Sequence, residues 1–263
     1  MSNSDRSTLV WKVEHDFQAD ELEKFEHLYH DWIYPNTYES FRGKEVLDAG
    51  SGPGIQVRFI AKYAKHVTAV DLEALETTTD RTQDIADKVT YIADDIGIMD
   101  LGKQFDVVNC VGVIHHTDNP DVTFNNLYKH TKSGGKVIVW AYADRGNFLM
   151  RKIVEPFRRN FLSKWEHDGL WRLSCTLQFL MNFFVFTIYR LPLNFLPYYE
   201  YFANARKMSF KRNALNVYDK LNAPQTHFIT ERQIKSWFGS EKFKDVHLSE
   251  YLGVSWRCSG TKL

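Results

Sequence analysis

Residues 45–71 read EVLDAGSGPGIQVRFIAKYAKHVTAVD. A short apolar run ends in Asp48, and the glycine-rich turn AGSGPG follows. A stretch with Val57, Ile60 and Tyr63 at helical spacing then leads into a second apolar run that closes on Asp71. Strand, glycine turn, helix and strand open a parallel β-α-β unit, whose ligands bind where the turn leaves the first strand. The spacing Gly50-x-Gly52-x-Gly54 is not GxGxxG, and Pro53 removes a backbone N–H from the turn. A pyrophosphate cradle needs those donors, which weakens an NAD reading. Asp71, ending the second strand, is placed to accept both hydroxyls of a ribose, a feature common to several nucleotide-type ligands.

The pattern continues outward. Residues 89–94 (VTYIAD), 105–112 (FDVVNCVG) and 136–143 (KVIVWAYA) read as further strands, with a helix from Pro120 to just before Ser133-Gly134-Gly135. Upstream, residues 20–33 predict a helix with Phe25, Leu28, Trp32 and Ile33 on its apolar face, Asp20 as its cap and Pro35 beyond its end. After residue 144 the alternation stops, and residues 145–222 read as helical and irregular, broken by Pro156, Pro192 and Pro197. Order resumes at the capping-box sequence TERQ (residues 230–233), with Ile234, Trp237 and Phe238 forming an apolar face. Two closing strands, 244–251 and 254–260, are joined so tightly across Gly253 that they must be antiparallel. The expected division is an N-terminal helical segment (1–42), a cofactor-binding core (43–144), a helical cap insertion (145–222) and a C-terminal helix with a strand pair that completes the core (223–263).

EVLDAGSGPG, AVDLE, YIADDI and DVVNCVGVIHHTDNP, in this order and spacing, resemble the class I S-adenosylmethionine-dependent methyltransferases, closest to their small-molecule branch (type 11/12). The resemblance covers residues 43–143 and the C-terminal strand pair. It implies an α/β fold with a Rossmann-like, doubly wound, mostly parallel seven-stranded sheet whose last strand is antiparallel. It also implies S-adenosyl-L-methionine as cofactor. Carried over position by position, Asp48, Gly50, Ser51, Gly52 and Gly54 surround the methionine part, the acid of Asp48 suiting an ammonium group. Asp71 takes the ribose, with Leu72 beside the adenine. Asp95 takes the adenine amino group, and Ile96 offers its backbone N–H to the ring. Cys110 and Val111 lie below the sulfonium. Asp94 stands where the family has glycine, a departure that bears on the local backbone.

Methyl transfer to a hydroxyl needs a base. His115 and His116 follow the fourth strand at the sheet edge, and His227 lies in a DxxxPxxxH-like segment (Asp219 to His227) that returns from the cap. Each is a candidate base, and each also has a purely structural role open to it. Tyr29 and Trp32 are placed to close the cofactor site or simply to pack the first helix. No Cys pair, His cluster or HExxH suggests a metal, and Cys110 reads as a small buried apolar residue.

The chain has 263 residues, with 33 Lys and Arg against 33 Asp and Glu, which excludes a wholly basic nucleic-acid binder and an acidic disordered chain. The balance hides an asymmetry. Residues 145–220 carry 13 basic and five acidic residues, a net +8 that leaves −8 for the remainder. Within it, residues 157–202 hold 14 of the 39 aromatics. The expected partner is therefore a small-molecule or lipid-like acceptor, apolar and anionic, with the basic pairs Arg151-Lys152, Arg158-Arg159, Arg206-Lys207 and Lys211-Arg212 available for peripheral membrane contact. The alternative for this region is an ordinary packed core with solvated charges. The longest uncharged stretch, residues 173–189, has 17 residues, short of the roughly 20 that a span requires. Three unpaired cysteines and no secretory signal fit a cytoplasmic protein. O-methylation is expected first, C- or N-methylation second; a nucleic-acid methyltransferase and a non-catalytic cofactor-binding protein are the rival classes. No nucleic-acid partner is expected, and the oligomeric state is not legible.

Overall fold

The computed structural model describes residues 22–52, 54–72, 82–162, 165–223 and 225–263, with side chains described from residue 26 onward. The first helix, α1 (Leu22–Trp32), precedes β1 (Glu45–Ala49), α2 (Ile55–Ala61), β2 (His66–Asp71), β3 (Val89–Ala93) and β4 (Phe105–Val111). Next come α3 (Pro120–Lys129) and β5 (Thr131–Tyr142). The insertion follows, with helices α4 (Glu155–Asn160), α5 (His167–Phe186), α6 (Tyr199–Ala205) and α7 (Phe210–Asn222). The chain ends with α8 (Glu231–Trp237), β6 (Phe243–Tyr251) and β7 (Ser255–Lys262).

The strands form one seven-stranded sheet in the order β3-β2-β1-β4-β5-β7-β6. β1 pairs in parallel with both β2 and β4, and β7 runs antiparallel to β5 and β6. The chain therefore leaves β1 in one direction and returns on its other side, which makes the carboxyl ends of β1 and β4 the switch point of the sheet. Alternate side chains of each strand enter different cores. Leu47, Val108, Val137 and Val139 pack with Phe124, Leu127, Ile234 and Trp237, from α3 and α8. Val46, Val107 and Ile138 pack with Tyr29, Ile33, Phe59 and Ile60 from the α1 and α2 side. A third, smaller core of Leu162, Leu170, Leu215, Tyr218 and Leu221 belongs to the helices between β5 and α8.

Several local readings change. β5 begins at Thr131, not residue 136, and Ser133-Gly134-Gly135 lies inside the strand rather than ending the helix. Gly134 has a positive φ, and the β4–β5 register shifts between Phe105 and Val107. A Cβ at Gly135 would lie 2.9 Å from the Lys132 carbonyl oxygen and 3.0 Å from that of Phe105, so the glycines serve a bulge. Tyr63 falls beyond α2 and stacks on Tyr38 at 5.6 Å. The capping box at α8 is half made: the Thr230 hydroxyl accepts from Gln233 N–H, but the Gln233 side chain donates to Asp121 Oδ1 instead of reaching back. Asp20, Phe25 and Pro53 lie outside the described residues or side chains.

Phe124 ties α3 to α8. Its ring is fully buried and stacks on Trp237 at 5.1 Å and 9°, and the Trp237 indole N–H donates to Asp121 Oδ1 at 2.6 Å. Truncation there empties a ring-sized volume, so Phe124→Ala is expected to cost about 3–5 kcal/mol in denaturant unfolding. A loss below about 1 kcal/mol would show that the α3–α8 contact is not integral to the core.

Candidate active site

The turn after β1 is shaped by backbone before any side chain acts. Gly50, Gly52 and Gly54 all have positive φ, at 81°, 48° and 79°. Gly50 also has no room for a side chain, since a Cβ would meet the Val113 methyls at 2.5 Å. Gly54 caps α2 in the left-handed conformation. Around Gly52 nothing lies within 4 Å of a Cβ position, so the turn is open on that side. Two N–H groups, of Gly50 and Ser51, converge on the Val70 carbonyl at 2.8 and 3.0 Å, and Gly52 N–H donates to Asp71 Oδ2 at 2.8 Å. The end of β2 thus holds the turn on β1.

Asp48 sits beneath this turn, fully buried. Its Oδ1 accepts from Asn109 Nδ2 at 2.6 Å, across the β1–β4 pairing. Its Oδ2 has no partner, and neither do Ser51 Oγ and Gln56 Oε1 nearby on the turn and α2. Burial pushes the Asp48 carboxyl up to about 7; the Asn109 bond opposes this and the Asp71 charge adds to it. Tyr29, on α1, is buried close enough for the Asp48 charge to help raise its phenol, after burial itself. Asn109 is the residue that sequence reading missed. It lies on β4 in the middle of the apolar run FDVVNCV, and a polar side chain in such a run is the signal that could have found it.

The other sequence-derived positions distribute around the same edge. Leu72 follows Asp71 and is 62% exposed, a side chain free to cover a flat ligand. Asp94 N–H donates to the Asp71 carbonyl. Asp95 Oδ1 accepts from Gly97 N–H at 2.8 Å, and Ile96 is buried with its carbonyl held by Asn126. Cys110 and Val111 are buried at the end of β4, and burial pushes the Cys110 thiol up to about 12, so it is a neutral packing group.

The three histidines meet at the next turn of chain. His227 N–H donates to the His115 carbonyl at 2.7 Å, while His116 Nδ1 donates to the Gln225 carbonyl at 2.8 Å. Gln225 returns the bond to the His116 carbonyl and also reaches Asp118. Since a carbonyl only accepts, His116 must carry its proton on Nδ1, which leaves Nε2 as an acceptor when the ring is neutral. His115 is buried against the Tyr142 ring at 4.2 Å, and neither of its ring nitrogens has a partner; His227 Nε2 is likewise unpartnered. Burial, then the charges of His116, His227 and Lys220, hold His115 well below the ordinary imidazole range. Burial also lowers His116, against the opposing pull of Asp219 and the Gln225 bond. Among the described residues, no three His, Cys, Asp or Glu side chains converge as a metal would require.

The insertion also contributes inward-facing groups. Lys220 of α7 donates to the Tyr201 hydroxyl at 3.1 Å and lies 5.9 Å from the centre of the Tyr142 ring. Arg158 is buried, bonds Thr226 and is paired with Glu155. This corrects the reading of Arg158-Arg159 as a membrane-facing pair: Arg158 points into the molecule. Arg206 is likewise engaged, donating to the Tyr189 carbonyl at 2.7 Å.

A doubly wound sheet with an antiparallel last strand, and a glycine turn pinned by the acid that ends β2, define a nucleotide-binding α/β protein. Residues 47–139 match the family described as a methyltransferase domain. A ubiquinone biosynthesis O-methyltransferase of Rickettsia bellii is 31% identical over 176 residues, which are 56% of this chain and 72% of that protein. An uncharacterized protein of Synechococcus sp. is 29% identical over 140 residues; there the match takes in 47% of this chain and spans a third of the relative's length. The magnesium protoporphyrin IX methyltransferase of Synechocystis PCC 6803, solved with bound S-adenosylhomocysteine, shares the fold. Its TM-score is 0.54 at 13% identity, over 98% of this chain and 94% of that one. The chain belongs to the class I S-adenosylmethionine-dependent methyltransferases.

The Asp48 carboxyl generates a pH prediction. Its folded pKa is raised above the usual value near 4, so the unfolded chain gives up this proton first. Its cost to stability is absent below about pH 4, grows as pH rises to about 7 and is constant above. Asp48→Asn keeps the shape and the Asn109 contact, and is expected to stabilise the cofactor-free protein by up to about 4 kcal/mol at pH 8 and by little at pH 4. A pH-independent difference in denaturant midpoints would contradict it.

Proposed function

We propose that the protein is an S-adenosylmethionine-dependent O-methyltransferase acting on a small, apolar, lipid-like acceptor bearing negative charge. In this reading it works in the cytoplasm and touches a membrane peripherally through residues 145–220. The observation that carries the cofactor part is the pinned glycine turn, with three unpartnered buried oxygens beneath and beside it. Buried polar atoms nearly always have partners, and Asp48 Oδ2, Ser51 Oγ and Gln56 Oε1 suit the ammonium and carboxyl ends of an amino acid better than they suit a phosphate. Asp71 would exchange its Gly52 bond for the ribose hydroxyls. Leu72, Asp95 and Ile96 would line the adenine, and Cys110 and Val111 the floor. When bound, the cofactor supplies a methyl group on a positively charged sulfur. What remains for the protein is alignment and proton removal.

Oxygen as the acceptor atom is supported by the Rickettsia relative, named an O-methyltransferase, and by neutral imidazoles at the adjoining sheet edge. His116 is the preferred base, because the Gln225 carbonyl fixes its tautomer with a free Nε2. His115 and His227 would form the wall beside it. The insertion lies over this edge, with Lys220 the group suited to an acceptor's negative charge.

Two measurements test the reading. Asp71→Ala and Gly52→Val should each weaken S-adenosylhomocysteine binding about 100-fold or more by calorimetry, the first by removing two hydrogen bonds to a charged group; unchanged affinity would remove the site from this turn. With an acceptor found by screening labelled methyl transfer, His116→Ala should lower the saturated rate about 10²–10⁴-fold and His227→Ala much less. Equal, small effects of both would leave the reaction without a histidine base.

A further inference from the structure

The longest helix of the insertion is apolar on both faces, with Leu170 and Val185 buried and phenylalanines facing out. On α5, Ser174 and Gln178 are buried, Gln178 at 3% exposure, whereas Phe179 and Phe183 are 70% and 66% exposed. The buried polar groups are satisfied locally, Ser174 by the Leu170 carbonyl and Gln178 by Asn182. The exposed aromatics have no such explanation. Arg172, Thr176, Phe179, Phe183 and Phe186 recur at three- and four-residue spacing, so they form one stripe along the outer face. Phe195, 81% exposed, lies in the segment that follows the helix. Among the described residues, no helix is long and apolar enough to cross a membrane, so α5 is not a span.

Charge selects what covers this face. Residues 168–199 contain one acid, the exposed Asp168 one turn before Arg172, and two cations, the exposed Arg172 and Arg190. The two cations bracket the aromatics, one near each end. Asp168 nearly balances the stripe itself, but the insertion that carries it is +8, so a second copy docking face to face would set that positive charge against its own like. An anionic lipid surface meets both demands. Aromatic rings settle at the boundary between headgroups and acyl chains, and the arginines reach the phosphates.

We propose that the outer face of α5 is a docking surface for an anionic lipid bilayer, with the helix lying in the plane of the interface. The docking does not depend on the acceptor's identity. It replaces the four basic pairs with a narrower determinant, since two of those pairs include arginines engaged inside the molecule.

The test is flotation of the full chain with vesicles of phosphatidylcholine alone and of phosphatidylcholine with phosphatidylglycerol. The wild type should float only with the anionic vesicles, and less as salt rises. Phe179→Glu with Phe183→Glu, and separately Arg172→Glu with Arg190→Glu, should abolish flotation while S-adenosylhomocysteine affinity by calorimetry stays unchanged. The proposal is overturned if the wild type does not float, if either double variant floats normally, or if sedimentation shows a dimer that the phenylalanine variant dissociates. A wild type that floats but does not bind S-adenosylhomocysteine would sink the cofactor reading and leave the docking face standing.

Discussion

Everything at the working edge of this protein depends on how the chain leaves β1. Three residues in a six-residue turn take positive φ, and the turn is held by bonds to the neighbouring strand: two N–H groups on the Val70 carbonyl and one on the Asp71 carboxylate. Only glycine enters this backbone region without cost, and at Gly50 the Val113 methyls exclude any larger residue. Because β1 is central and paired on both sides, the turn opens at the switch point. There the ends of β1, β2 and β4 converge, and no strand blocks the way.

The electrostatics follow from that position. A carboxyl buried beneath a turn is costly to ionise, and Asp48 is held by a single amide, from Asn109, with one oxygen unsatisfied. Burial acts in the opposite sense on the histidines, keeping His115 and His116 neutral. An acid that resists losing its proton and imidazoles that resist gaining one sit at neighbouring strand ends. A cationic ligand favours ionisation of the first, and a hydroxyl acceptor requires the free lone pair of the second. The net charge of zero across the whole chain conceals this local division of labour.

The strand-turn-helix alternation was legible because parallel strands buried on both faces leave unbroken apolar runs, and β2 was bounded to the residue. The glycine turn and Asp71 were legible because each answers a backbone or hydrogen-bonding demand that few other residues meet. Ser133-Gly134-Gly135 misled, since a glycine pair marks a helix end and a strand bulge equally well. Asn109 could be flagged as a polar residue in an apolar run, but neither its role nor the inward turn of Arg158 was readable: both depend on a partner distant in sequence, Asp48 in one case and Thr226 in the other. In the insertion, composition showed that aromatics and cations were concentrated but not which faced out. That division is set by packing against α7.

The orientation of α5 ties the His116 edge to the outer surface of the insertion. Its inner face packs on α7, which carries Asp219 and Lys220 toward the His116 edge, and its outer face presents phenylalanines. The inner face is apolar too, through Leu170 and Val185, so a helix selected only to roof a pocket would carry polar residues on its outer face. The exposed aromatic face has a free-energy cost in water that is recovered only when it is covered. If the cover is the bilayer that holds an apolar acceptor, the same helix brings the pocket to the surface from which the acceptor must come. The acceptor then need not pass through water between its membrane and the edge at His116.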